Sequence, residues 1–292
     1  MRTMELPLVV GVDGSEPSMR AVDWAADEAV LHGVSLRLVY ASLWERYEGA
    51  ALAEGLGRSS EQVLADNIVD AAAKRAHRRA PDLKISTAVL PDDAVSALLG
   101  ESGRACALVI GARGRGNIAE LLLGSVSLAV AARAHCPVIV LRGSHDNRPY
   151  QRIVLGVGEE PRNTAAVRFA FEEAAARYAT LQAVRAWRRP AHKTSDHPLL
   201  AGEPEHHHEQ RAAETLDAAL SDAAADHPSV QVRRRTVEGP AHQVLLDASA
   251  TADLLIVGAQ RRHGHAGLQL GRIAHAVLHH SACPVVVVPQ GV

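Results

Sequence analysis

Leu108-Val109-Ile110-Gly111-Ala112-Arg113-Gly114 and Leu255-Ile256-Val257-Gly258-Ala259-Gln260-Arg261 are one passage written twice, 147 positions apart (258 less 111). In each copy an apolar run meets a glycine, which is how a buried strand reads where it leaves the core through a tight turn. The match continues without a gap from Pro81 and Pro228 to Cys136-Pro137-Val138 and Cys283-Pro284-Val285. The unit starts pair as well, Val9-Val10-Gly11-Val12 with Val154-Leu155-Gly156-Val157. A repeat of this length sets the domain count before any motif is read. The 292 residues divide into two units of roughly 145 each, both long enough for a core of their own. The expected domains are residues 1–143 and 150–292, joined by the polar, turn-rich Gly143-Ser144-His145-Asp146-Asn147-Arg148-Pro149.

Outward from the glycine, the first unit alternates strand and helix signals. Leu8 to Val12 reads as a buried strand leaving through Asp13-Gly14-Ser15-Glu16-Pro17. Ala21, Val22, Ala25, Ala26, Ala29 and Val30 recur at helical spacing, and Gly33 stands where a helix C-cap belongs. A strand is expected at Ser35 to Ala41, a polar loop over Trp44 to Ser59, and a helix at Glu61 to Arg79. A strand at Lys84 to Val89 and a helix at Ala94 to Gly103 follow, with Asp92-Asp93 reading as the helix N-cap. The strand Leu108 to Ile110, a helix from Ser125 to Ala134 and a strand Val138 to Leu141 complete the unit. This alternation predicts an α/β fold with a mostly parallel sheet covered on both faces. Ligands of such open sheets bind beyond the carboxyl ends of the strands, where the chain order reverses.

Composition narrows the function classes. Lys and Arg number 31 against 33 Asp and Glu; no basic block with interleaved aromatics points to nucleic acid. No apolar run approaches the roughly 20 residues that span a bilayer. Met1 to Pro7 passes straight into a strand-like run without a cleavage-type signal, so a cytoplasmic protein is expected. Of three cysteines, Cys136 and Cys283 hold equivalent positions before a strand and read as packing residues, and Cys106 reads as a packed thiol. No disulfide framework is expected.

The residues that carry chemistry lie at the expected carboxyl edge of the sheet. Gly111-x-x-Gly114 lets backbone amides approach an oxygen-rich ligand. Nine residues then separate Gly114 from Gly124-Ser125-Val126, where a helix opens with unpaired amides and a dipole that favour an anion. Asp13, at the end of the first strand, is a carboxylate for a ribose hydroxyl or a divalent cation.

Val9-Val10-Gly11-Val12-Asp13-Gly14-Ser15, the spacing Gly111-x2-Gly114-x9-Gly124-Ser125 and the closing His135-Cys136-Pro137-Val138-Ile139-Val140 together resemble the universal stress protein family, in its tandem-domain actinobacterial form. The resemblance covers both units. It implies two tandem open five-stranded sheets in order 3-2-1-4-5, Rossmann-like, with helices on both faces. It also implies ATP with Mg²⁺ as ligands of the first unit. Gly11, Val12 and Asp13 would line the adenosine and metal side, with Asp13 the metal residue, and Ala41 would meet adenine through its backbone. Gly111, Gly114, Gly124, Ser125 and Val126 would hold ribose and phosphates. As in the family's dimers, the last strands of the two units are expected to pair, within one chain or between chains.

The second copy departs from the pattern at the functional places: Asp13 corresponds to Gly158, Gly114 to Arg261 and Ser125 to Arg272. It reads as a degenerate, mainly structural unit, although guanidinium groups pair well with phosphate. Elsewhere, His192, His197 and His206-His207-His208 fall in a polar insert that reads as a solvated loop rather than a metal centre. His275 and His279 have helical spacing but no evident third ligand, and read as surface or interface residues. Arg113 and Arg115 flank the glycine loop as candidate phosphate contacts. Trp24 reads as packing, and Trp44 as a possible cover over a nucleotide.

The expected function is a nucleotide-sensing regulator of a stress response, with an unknown protein partner and ATP bound without efficient turnover. The alternatives are a slow ATPase or adenylyl-transfer enzyme, for which no general base is placed, and a dimerisation scaffold without ligand, against which the intact first glycine set argues.

Overall fold

The structure is a computed structural model that describes residues 6–43, 60–114, 123–142, 151–159, 164–188, 205–260 and 270–290, the side chains of 205, 206 and 260 excepted. The expected loop at Trp44 to Ser59, and Arg115, His192, His197 and Arg261, lie outside the described residues. The chain divides into two compact units.

In the first unit the elements follow as β1 (Leu8–Gly11), α1 (Glu16–His32), β2 (Leu36–Ala41), α2 (Ser60–Arg79), β3 (Ile85–Leu90), α3 (Ala94–Ser102), β4 (Ala107–Gly111), α4 (Ser125–Arg133) and β5 (Val138–Leu141). The strands stand in the order β3-β2-β1-β4-β5, and every pair is parallel. All five residues of β4 are buried in succession, so both faces of the sheet are covered. Helices α1 and α2 pack together, as do α3 and α4, giving a helical layer on each face. Arg75 and Arg79 of α2 tie that helix to α1 by paired contacts to Asp23 (2.8 and 2.5 Å) and Asp27 (2.6 Å each). These half-exposed pairs fix the alignment of two helices more than they add stability. Trp24 of α1 is buried, as its packing role requires.

The second unit repeats the plan with β6 (Arg152–Gly156), α5 (Ala165–Ala176), β7 (Thr180–Trp187), α6 (Glu205–Asp226), β8 (Val232–Glu238), α7 (Ala241–Ser249), β9 (Leu254–Gln260), α8 (Arg272–His280) and β10 (Val285–Gln290). Its strands stand in the order β8-β7-β6-β9-β10, again all parallel. The α/β, mostly parallel architecture and the 3-2-1-4-5 order in each unit are as the sequence and the resemblance implied.

Two expectations need correction. The His206-His207-His208 run is not loop but the first turn of α6, because nothing in Glu205 to Gln210 breaks a helix. Cys106 is exposed rather than packed: it precedes β4, its amide donating to the Pro7 carbonyl at 3.0 Å, and the covered part of the sheet begins only at Ala107. Cys136 and Cys283 are buried as expected. Burial is the main cause that pushes their thiols up to about 12 and about 11. Both therefore stay protonated and inert as packing groups.

The C-terminal ends of α1 and α5 show what the repeat kept and what it let drift. At Gly33 (φ 67°) the Gly33 and Val34 amides donate to Val30 and Ala29. At Tyr178 (φ 52°) the amides of Tyr178 and Ala179 donate to Ala175 and Ala174 in the same pattern. A tyrosine thus holds the left-handed position that glycine occupies in the first unit, and its side chain is 98% exposed. Tyr178→Gly relieves the Cβ clash and forfeits no packing, so it is expected to raise stability by about 1 kcal/mol in urea unfolding.

Candidate functional site

The β1–β2 register sets Leu8 against Leu36 and Gly11 against Val39. Continued by two residues, it brings Asp13 level with Ala41, the last residue of β2. On the other side β1 pairs with β4, and Gly111 stands against Leu141 of β5. Residues that the chain scatters from 13 to 142 therefore meet along one edge, the carboxyl edge of the first sheet.

Asp13 is held there by the start of α1. Its Oδ1 accepts from the Ser15 amide at 3.0 Å and the Ser15 hydroxyl at 2.5 Å, and its own amide donates to Ser18 Oγ at 3.3 Å. Ser15 is also the helix N-cap, its Oγ accepting from the Ser18 amide at 3.4 Å. A single serine thus caps α1 and orients the carboxylate.

Each glycine of the set is bare for its own reason. A Cβ on Gly114 would overlap Asp13 Oδ2, so the carboxylate lies directly against the Gly114 backbone. At Gly111 a Cβ would come within 2.9 Å of the Pro17 carbonyl group, so the glycine admits the first turn of α1 against β4. At Gly11 it would meet Leu98 of α3 at 3.1 Å and Ile110 at 3.2 Å. That is a packing demand, and Gly156 of the second unit meets the same one from Leu245. Val12 is likewise buried, with its amide donating to Val39 at 2.9 Å, so only its backbone fronts the edge.

Gly124 donates its amide to the Ala112 carbonyl at 2.9 Å, which closes the base of the loop between β4 and α4. It is the N-cap of α4 and has no side chain with which to cap that helix. Ser125 and Val126 therefore open a first turn whose amides face outward at the sheet edge. Ser127, which sequence reasoning passed over, is buried and donates its hydroxyl to the Gly111 carbonyl at 2.9 Å, pinning α4 to the end of β4. Arg142 was missed as well. Its guanidinium is pushed below its usual value, first by burial and then by the neighbouring Arg113. Two arginines close enough to repel one another, beside an uncapped helix start, make this edge receptive to an anion.

The second unit keeps three glycines of the set and loses its other polar and glycine positions. Gly156, Gly258 and Gly271 remain, whereas Gly158 stands for Asp13 and Arg272 for Ser125. A Cβ on Gly158 would meet nothing within 4 Å. Its carbonyl instead accepts from the Arg185 guanidinium. His275 and His279 do face each other, ring centroids 4.4 Å apart, but among the described residues no third ligand joins them. Among the described residues no helix is long and apolar enough to cross a membrane.

The sequence profile of the universal stress protein family matches residues 6–142 and again 149–289. A universal stress protein of Mycobacterium tuberculosis is 33% identical over 307 residues, covering 98% of this chain and 96% of its own. Another from the same organism is 30% identical over 306 residues, covering 97% of each chain. The solved structure of a universal stress protein from Archaeoglobus fulgidus superposes with a TM-score of 0.64, covering 98% of this chain and 97% of its own, at 16% identity. That last likeness is one of fold.

Ser15→Ala removes the cap of α1 and the hydroxyl that holds Asp13. It is expected to cost about 1 kcal/mol of stability, measured by urea unfolding.

Proposed function

Since the chain belongs to the universal stress protein family, we propose that its first unit binds ATP with Mg²⁺ at the carboxyl edge of β1 and β4, as a nucleotide-sensing regulator rather than an efficient ATPase. The observation that carries this reading is the contact between Asp13 and Gly114. A carboxylate fixed by Ser15 lies against a residue whose side-chain position it fills. One carboxylate, with the ligand's own phosphates, fits the way Mg²⁺ is held in nucleotide sites, where most of its remaining ligands are water. Bound there, the ion would offset phosphate charge. The outward amides of Ser125 and Val126, with Arg113 and Arg142, would take up what charge remains.

The backbone of Ala41, level with Asp13, fits the adenine side, while Gly11 and Val12 form the floor. Among the described residues no group on this edge is placed to activate a water, and in this reading the output of binding is conformational. ATP can shift the order of the loops that carry Gly114 and Gly124 only by its differential affinity for their states. The same reading puts the protein in the cytoplasm, with pairing through the last strands as its route to assembly.

Calorimetric titration of Mg-ATP, with phosphate release followed in parallel, tests the proposal. Wild type is expected to bind one equivalent per chain with negligible release. Asp13→Ala and Gly114→Ala, which respectively delete and displace the carboxylate, are expected to weaken binding tenfold or more. Unchanged affinity in both variants overturns the site, and steady release overturns the regulator in favour of an enzyme.

A further inference from the structure

The second unit has a cleft at the carboxyl end of its own sheet, about 780 Å³ in volume and within the size range of metabolite sites. Glu159 after β6, Trp187 and Arg188 at the end of β7, His242 in the first turn of α7, and Arg272 and Ile273 at the start of α8 line it. All of them belong to that unit alone. We propose that this cleft is a second binding site of different chemistry, which takes a small organic phosphate through Arg272, Arg188 and His242 without a divalent cation. The inference goes beyond the nucleotide reading of the first unit and does not depend on it.

Comparison of equivalent positions shows how the charge at this edge has changed. Asp13 of the first unit becomes Gly158, which removes the carboxylate that would hold a cation. Asp93, whose Oδ1 caps α3 by accepting from Val95 and Ser96 at 3.0 and 3.1 Å, becomes Pro240 (240 less 93 is 147), and α7 starts with no side-chain cap. Ser125 becomes Arg272, the first residue of α8. By strand register Tyr40 becomes Arg185, whose guanidinium binds the Gly158 carbonyl and whose buried Nε has no acceptor among the described residues. Two carboxylates have gone and two guanidinium groups have arrived, as has Arg188 where the first unit has Leu43; against them stand Glu159 in place of Gly14, and Gln260 and Pro289 in place of Arg113 and Arg142. Within the cleft itself the balance is positive, Arg188 and Arg272 against Glu159.

The geometry that serves an anion has meanwhile been kept. Gly271 is the N-cap of α8 at φ −58° and ψ 154°, close to Gly124 at φ −65° and ψ 147°, and neither glycine can supply a side-chain cap. Two helix starts, α7 and α8, therefore reach the cleft with outward amides, and Arg188, Arg272 and His242 stand beside them. With this surplus of positive charge, phosphate needs no bridging metal. Trp187 supplies a flat apolar wall and Glu159 an acceptor for hydroxyl groups, which fits a phosphate attached to an organic body better than a bare ion.

Pyrophosphate titrated into the full-length protein in EDTA buffer, by calorimetry and by tryptophan emission, tests the proposal. Wild type is expected to bind, and the double variant Arg272→Ser with His242→Ala to lose tenfold or more in affinity. Both side chains are exposed, so the variant is expected to fold, as thermal melting will check. Trp187→Phe is expected to bind while losing the emission change. Absence of binding in EDTA, or undiminished affinity in the double variant, overturns the proposal. Titration of Mg-ATP into the same double variant reads the first unit separately, so the two sites can fail independently.

Discussion

The parallel pairing of β1 with β4 is the constraint on which both the fold and the candidate site rest. The strands it joins are separated by β2, β3 and three helices in the sequence, yet they lie side by side in the middle of the sheet. The chain leaves β1 toward one layer of helices and leaves β4 toward the other, the arrangement beside which ligands of open α/β sheets bind. The close fit of Gly111 against Pro17 then brings the first turn of α1 onto β4. Ser15 fixes the Asp13 carboxylate in that turn, and Ser127 fixes the start of α4 against Gly111. The position of this edge is thus a by-product of strand order, while the polar groups on it are held by short-range bonds.

The two copies of the unit act as an internal control on the meaning of each glycine. Gly11 and Gly156 make the same demand, room for a leucine from the helix packed over the sheet, and both survive because the core needs them whatever the site does. Among the described residues a Cβ on Gly114 would meet Asp13 alone. Where Asp13 is replaced by Gly158, the matching glycine has gone too, and the chain carries Arg261. Gly114, kept with Asp13 and lost with it, goes with the candidate site, while Gly11, kept with its leucine contact in both units, belongs to the fold. Membership of the universal stress protein family is shared by both units, but the equipment of their sheet edges is not.

The sequence by itself determined the repeat, the alternation of strand and helix, and the positions of most elements to within a residue or two, because hydrophobic period and turn residues are local signals. Gly33 and Asp93 declared their caps for the same reason. It also marked the candidate residues of the first sheet edge, since Asp13, Gly111, Gly114 and Gly124 all follow strand ends or open helices. It misread Cys106, whose exposure depends on where the covered sheet begins, and the His206 to His208 run, where polarity suggested a loop but helix formation needs only the absence of breakers. Only the tertiary structure decided what each marked residue touches. It separated Gly11 as a packing residue from Gly114 as Asp13's neighbour, brought Arg142 beside Arg113, and set Arg272, Arg188 and His242 around one cleft. Those groupings join strands and helices far apart in the chain, and the long-range pairing that creates them leaves no pattern in any one stretch of sequence.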